Sequence, residues 1–288
     1  MIIDGKKVAS EIKEQLAIAT KKLNSENNII PGLACILVGN NPASEYYVRS
    51  KVKSCQEIGF YSMLDKFKTT ISENELLAHI EKYNNNPSVH GILVQLPLPS
   101  HINEEKILQA VNPEKDVDGF NPINVGKLVS GQKTFIPCTA LGVLELLKYY
   151  KISTSGKHVV VVGRSNIVGK PVANLLSQKK YGNAIVTIVH SGTEDISKFT
   201  KEADILVVAI GKPKFINAAM VKNGVVVIDV GINKIINGSE SLLVGDVDFE
   251  NVKEIASAIT PVPGGVGPMT IAMLLSNTFQ AAQISISK

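Results

Sequence analysis

The sequence predicts an α/β protein made of two α/β lobes, the second built on a parallel sheet, and three observations carry that prediction. Six short runs, LACILVG, GILVQLPLP, HVVVVG, AIVTIVH, DILVVAIG and GVVVIDVG, are apolar at nearly every position rather than at alternate ones. That is the pattern of parallel strands covered on both faces. Helical patterns separate the runs almost from end to end, so strands and helices alternate as crossover connections require. The chain's 288 residues, 44% of them hydrophobic, favour two cores over one, since domains usually run about 100 to 200 residues.

In chain order, the first lobe has strands near residues 33–38 and 90–95 and helical patterns at 43–58 and 73–84. The stretch NPEKDVDGFNPINVGK, rich in Pro, Asn and Gly, reads as loop. A helical pattern at 139–150, TALGVLELLKYY, is placed to bridge two domains and leads into the second series of strands. After ITPVPGG, the segment PMTIAMLLSNTFQAA carries apolar residues at Ile271, Leu274, Leu275 and Phe279, a helical stripe that needs a cover and fits either lobe. No repeat of 20–50 residues and no low-complexity tract interrupts this order.

Composition narrows the function. Thirty basic against 26 acidic residues give a net charge of +4, with no dense basic run of the kind that follows a phosphate backbone, so nucleic acid is not an expected partner. The three cysteines, Cys35, Cys55 and Cys138, are widely spaced and form no Cys-x-x-Cys pair; neither a disulfide framework nor a metal site is expected, and a reducing cytoplasm is. The N-terminus MIIDGKKVAS lacks the pattern of a secretory signal. No apolar run approaches the roughly 18 residues of a membrane span, and the expectation is a soluble protein.

The stretch KHVVVVGRSNIVGKPVANLL reads as a strand, a tight turn containing Gly163, and a helix opened by Gly169 and Pro171. Such a turn sets a pyrophosphate against the unpaired N–H groups of a helix N-terminus. It departs from G-x-G-x-x-G, with Ser165 at the second glycine position, and the alternative is that the two glycines only permit a close strand-to-helix crossing. The next strand ends in His190 and Ser191, where an NAD site usually carries a carboxylate for the ribose 2′-hydroxyl. With Arg164 in the turn, a 2′-phosphate can be accommodated, and NADP is expected in preference to NAD.

In SEYYVRSKVKSCQEIGF, Tyr47, Lys51, Ser54 and Ile58 share one helical stripe, so Tyr47 and Lys51 can touch. A solvated basic helix is the plain alternative, because Arg49, Lys51 and Lys53 lie close together. A lysine held beside an aromatic ring can instead exchange protons or polarise a water. Gln95 falls at the carboxyl end of an apolar strand, the edge where α/β folds bind ligands. Asp116 and Asp118 precede Gly119, either as an Asx-type turn or as an acceptor for a ring with several N–H donors. TPVPGGVGP is too rich in Pro and Gly for helix or strand and suits a rigid loop lining a site.

Taken in order, SEYYVRSK, GILVQLPLP, PEKDVDGF, PCTALGV, VVVVGRSNIVGKP and TPVPGGVGPMT resemble the bifunctional methylenetetrahydrofolate dehydrogenase/methenyltetrahydrofolate cyclohydrolase family over nearly the whole chain. The resemblance implies NADP-dependent oxidation of 5,10-methylenetetrahydrofolate, hydrolysis of the methenyl product to 10-formyltetrahydrofolate, and a place in one-carbon metabolism. It implies Lys51 as the central catalytic residue, with Gln95 tuning it, Tyr47 packing on the folate and Asp118 holding the pterin. Val94, Leu96 and the loop Pro263, Gly264, Gly265, Val266 and Gly267 would touch the folate; Gly163, Arg164, Ser165, Ser191 and Ile232 would touch NADP, with Cys138 and Thr139 near its nicotinamide. Residues 1–138, completed by a C-terminal helix at 270–288, would form the folate-binding catalytic domain and residues 139–269 a Rossmann-like NADP-binding domain. A cytoplasmic homodimer is implied as well.

Two other classes share parts of the pattern. A short-chain dehydrogenase/reductase also uses Tyr-x-x-x-Lys, but there the pair follows the nucleotide turn, whereas Tyr47 and Lys51 precede Gly163. A non-catalytic NADP-binding regulator would need the turn without Lys51, Gln95 and Asp118.

Overall fold

The computed structural model describes residues 1–237 and 240–286. Its chain divides into two compact units, one of Ser10–Cys138 with Ile271–Lys288, the other of Met1–Ala9 with Thr139–Thr270. The expected C-terminal helix therefore reaches Ile286, and Ser287 and Lys288 lie outside the described residues.

In the first of these units, α1 (Gly5–Asn27) leads from the other unit into β1 (Gly32–Val38), α2 (Pro42–Glu57), β2 (Tyr61–Phe67), α3 (Glu73–Asn84), β3 (Gly91–Val94), α4 (Glu104–Ala110) and α5 (Pro122–Val129). The strands form a parallel sheet in the order β2-β1-β3, with Gly32 opposite Tyr61 and Leu33 opposite Gly91. Central β1 is buried at every position, as a fully apolar strand requires. Ala34, Ile36, Ile92 and Val94 meet Leu76, Ile80 and Ile107 in one core.

Two features depart from the sequence-based expectation. YSMLDKF is the edge strand β2, mostly exposed or half-buried, and carries no apolar run to betray it. The stretch expected to be all loop ends in the first six residues of α5: Asn121 caps its first turn by accepting from the Ile123 N–H, and Pro122 stands at the first helical position. That Asn-Pro pair is a helix start rather than a loop signal.

The second unit runs through α6 (Cys138–Tyr149), β4 (His158–Val162), α7 (Gly169–Ser177), β5 (Ile185–Val189), α8 (Ile196–Thr200), β6 (Ile205–Val208), β7 (Val226–Asp229), the hairpin β8 (Asn233–Asn237) and β9 (Glu240–Val244), α9 (Phe249–Val252) and β10 (Ala258–Ile259). Five strands make a parallel sheet in the order β10-β7-β6-β4-β5. The order reverses at β4, the topological switch point of a doubly wound fold. Val160, Val162, Leu206, Val208 and Val227 build the core with Val189 and Ile216.

The first nine residues, expected with the folate-binding domain, cluster here instead. The reason is backbone pairing: the Ile3 N–H donates to Ile259 O and the Ile259 N–H to Met1 O, extending the β10 edge. The last helix, α10 (Val266–Ile286), begins in this unit and continues into the other. Among the described residues, no helix is long and apolar enough to cross a membrane.

Candidate active site

Helix α2 starts where the Asn41 side chain accepts from the Ala43 and Ser44 N–H groups, with Pro42 at the first position. Its three neighbouring cations then separate sharply. Arg49 and Lys53 keep 78% of their side chains exposed and pair with Glu45 and Glu57. Lys51 is only 7% exposed, and its Nζ donates to Gln95 Oε1 at 3.1 Å. A lysine so buried needs a partner, because burying an uncompensated charge is costly. Tyr47, one turn earlier, is half-buried; burial, then the neighbouring Tyr46, pushes its phenol above the ordinary tyrosine range.

Gln95 follows the last residue of β3, its backbone still donating to Ile36 O on β1. Its Nε2 donates to Leu96 O at 2.7 Å, which fixes the amide so that Oε1 faces Lys51. Leu96 is partly exposed beside it. Val94 is placed differently: its side chain lies in the hydrophobic core with Ile36 and Ile92 and is 5% exposed.

Asp116 and Asp118 are held differently. The buried Asp116 carboxylate accepts from the backbone N–H groups of Gly119, Phe120 and Asn121 and from Asn124 Nδ2, at 2.8 to 3.2 Å. It is the turn. Asp118, two residues on, stays free of that net; burial raises its carboxyl above the usual range, against the opposing charge of Lys51 and a hydrogen bond from Cys138. The opposing Lys51 charge places Asp118 in the electrostatic neighbourhood of the lysine. Asn277 on α10 braces the same turn, donating to Val117 O at 2.8 Å and Ile136 O at 3.1 Å.

Cys138, expected near the nicotinamide, is 1% exposed, with its Sγ 3.3 Å from Val117 O. The structure thus groups its side chain with Asp118. Burial, then the Asp118 charge, holds the thiol well above its ordinary range. Cys35, fully buried and within reach of the Lys51 and Asp118 charges, is likewise pushed up to about 12, chiefly by burial. Burial thus works against the thiolate form at both. The Thr139 hydroxyl lies 3.2 Å from that of Thr270.

The second unit supplies the turn after β4. Gly163 sits at φ +125°, and a Cβ there would stand 2.2 Å from Ala209 O; a Cβ at Gly169 would stand 2.2 Å from Gly163 O. Both glycines are therefore demanded by close backbone approach. Ser165 takes the second glycine's place for a reason: its Oγ accepts from the N–H groups of Val168 and Gly169, capping α7, whose N-cap residue Val168 has no side chain able to do so. Arg164 is exposed in the turn. Beyond β5, the His190 and Ser191 positions present no carboxylate, and His190 Nδ1 accepts from the Gly192 N–H. These residues fit a dinucleotide bearing a 2′-phosphate.

Ile232 is exposed, and a methyl at Gly267 would lie 3.4 Å from its Cδ1. The structure thus brings one expected cofactor residue to the segment Pro263–Gly267, whose last two residues are not loop but the first residues of α10. In that segment Pro263 is exposed and Gly264 accepts from the Lys6 N–H, while Gly265 and Val266 are buried. Two further carboxylates, not singled out from the sequence, lie behind these loops. Asp229 accepts from the N–H groups of Gly231, Asp246 and Val247, and its burial raises its carboxyl to about 7. Asp246 accepts from Ile210, Gly211 and Asn233. An aspartate ending the apolar run VVVID was the available signal. Among the described residues, no group of His, Cys, Asp and Glu is arranged to hold a metal ion.

Residues 3–118 match the model of the tetrahydrofolate dehydrogenase/cyclohydrolase catalytic domain, and residues 137–286 that of the family's NAD(P)-binding domain. The Bifunctional protein FolD of Bacillus subtilis is 55% identical over 286 residues, covering 99% of both chains. The crystal structure of the bifunctional methylenetetrahydrofolate dehydrogenase/cyclohydrolase from Campylobacter jejuni superposes with a TM-score of 0.94 at 50% identity, covering 99% of each chain. The Trypanosoma brucei enzyme, solved with NADP cofactor and inhibitor, gives a TM-score of 0.96 at 38% identity over 100% of this chain and 99% of that one. With two family models spanning most of its length and relatives matched end to end, the chain belongs to the tetrahydrofolate dehydrogenase/cyclohydrolase family.

Proposed function

We propose that the chain oxidises 5,10-methylenetetrahydrofolate with NADP and hydrolyses the resulting methenyl compound to 10-formyltetrahydrofolate, as an enzyme of one-carbon metabolism. The unit of residues 10–138 and 271–286 carries the folate chemistry, and the unit of residues 139–270 holds the cofactor. The observation that carries this reading is the burial of Lys51 against Gln95 Oε1 while its two cationic neighbours stay in solvent.

When bound, NADP supplies the hydride acceptor. Hydride leaves a carbon flanked by two nitrogens, which delocalise the developing positive charge, so the protein's task in this step is chiefly to position the reactants. Hydrolysis asks more of side chains. Lys51 has three donors; Gln95 orients the amine, and Lys51 hydrogen-bonds the attacking water and moves its proton. Asp118 accepts from the pterin N–H groups, and Tyr47 packs against the ring. Gly163, Ser165 and the start of α7 receive the pyrophosphate, while Arg164 and Ser191 face the 2′-phosphate.

Purified protein given 5,10-methylenetetrahydrofolate is expected to form NADPH, with methenyl absorbance rising and then decaying as hydrolysis follows. Absence of both signals overturns the reading in favour of a non-catalytic cofactor binder. In the same assay, Arg164→Ala is expected to weaken NADP by about 1–3 kcal/mol, the scale of a charge-assisted hydrogen bond, and NAD far less. Equal losses for the two cofactors would show that Arg164 does not read the 2′-phosphate.

The protein assembles as a homodimer in the cytoplasm, where its three free, buried cysteines stay reduced. Strand β5 is an edge with Ile185 64% exposed and Ile188 and Phe199 exposed nearby, and such an edge invites pairing with a second copy. Sedimentation should give a dimer for the parent and a monomer for Ile185→Lys. A parent that sediments as a monomer removes the assignment.

A further inference from the structure

The cofactor side of the second unit depends on loops that follow β6 and β7, and one buried side chain ties both down. Asp246 is fully buried. Its Oδ2 accepts from the Ile210 N–H at 2.7 Å and the Gly211 N–H at 2.9 Å, in the loop after β6. Its Oδ1 accepts from Asn233 Nδ2 at 2.8 Å, at the start of β8 where the loop after β7 ends. The first loop adjoins the phosphate turn: Ala209 O stands where a Cβ on Gly163 would fall, 2.2 Å away. The second carries Ile232, which meets Gly267.

The clamp is closely fitted. A Cβ on Gly231 would stand 2.1 Å from Asp246 Cγ, so only glycine lets the second loop approach the carboxylate. Asp246 is itself held through its N–H, which donates to Asp229 Oδ1 at 3.0 Å. Strands β6 and β4 are neighbours at the switch point of the sheet, where doubly wound folds take their ligand at the carboxyl edge. A carboxylate joining the loops on that edge sets their separation and hence the width of the dinucleotide crevice.

We propose that Asp246 is a positioning residue for NADP, acting through Asn233, Ile210 and Gly211 rather than by touching the cofactor. This deepens the reading of the second unit as the cofactor holder and rests on it. In Asp246→Asn, the new amide can still accept from Ile210 and Gly211 but turns an N–H donor toward the Asn233 amide. Exchanging the two residues, Asp246→Asn with Asn233→Asp, restores a donor–acceptor pair at both points with no change in total charge.

The test measures KM for NADP and for 5,10-methylenetetrahydrofolate in parent, single variant and exchange variant, with a thermal melt of each. The single variant is expected to raise the NADP KM about tenfold, the equivalent of one lost hydrogen bond, with far less effect on the folate KM. The exchange variant is expected to recover most of that loss, the non-additivity of two groups in direct contact. A folded Asp246→Asn with the parent's NADP KM overturns the proposal. So does an equal rise in both KM values with a lowered melt that the exchange leaves unrepaired, which marks general support of the fold. A parent that reduces no NADP would instead overturn the functional reading itself.

Discussion

Lys51→Met is expected to lower methenyltetrahydrofolate hydrolysis by about 10²- to 10⁴-fold, the usual worth of general acid–base catalysis. Methionine keeps the length and bulk of the chain and removes only the amine. Dehydrogenase activity should fall less, since hydride transfer depends chiefly on holding two rings in register. Stability should hold or rise slightly: Lys51 is buried, and replacing a buried amine by an apolar chain of similar shape removes its desolvation cost at the expense of one hydrogen bond to Gln95, worth about 1 kcal/mol net. Steady-state rates of both reactions, measured beside a melt, decide the matter. A mutant that melts normally and hydrolyses at the parent rate returns Lys51 to the role of a structural charge.

How much of this was legible beforehand depends on the kind of signal each residue leaves. Strands β1, β3, β4, β6 and β7 announce themselves because burial on both faces demands apolar residues throughout. Strand β2 does not, for an edge strand exposed on one side can be written YSMLDKF. The turn around Gly163 was readable because backbone approaching backbone leaves no choice but glycine, and that constraint is local. The placement of residues 1–9 was not readable, since it rests on pairing between Met1–Ile3 and Ile259, two segments with more than 250 residues between them.

The site shows the same division. Periodicity put Tyr47 and Lys51 on one stripe but said nothing about which of three cations turns inward; that is set by Gln95, 44 residues away. Val94 lies next to Gln95 in the chain, yet alternation along β3 sends its side chain to the core. Asp246 left almost no trace, because a single aspartate in a turn has many ordinary explanations, and its partners Ile210, Gly211 and Asn233 lie 13 to 36 residues away, after β6 and at the start of β8.

The two aspartates of PEKDVDGF should respond to substitution in opposite ways, and the contrast tests whether structure and function are divided between them. Asp116→Ala strips the acceptor from three backbone N–H groups and from Asn124. Leaving such donors buried and unpaired is expected to cost about 3 to 5 kcal/mol, read as a lower urea midpoint. Both activities should fall with it, because the turn that presents Asp118 has lost its frame. Asp118→Ala removes a carboxylate whose burial already disfavours its charged form. Its midpoint should stay near the parent's or rise, while the KM for 5,10-methylenetetrahydrofolate climbs by about 10- to 100-fold, the scale of hydrogen bonds to a charged group. The KM for NADP should scarcely move. Equal destabilisation by the two substitutions would place both aspartates in the turn and leave the pterin without its acceptor. An Asp116→Ala protein as stable as the parent would show that the net of four hydrogen bonds contributes little to holding the turn.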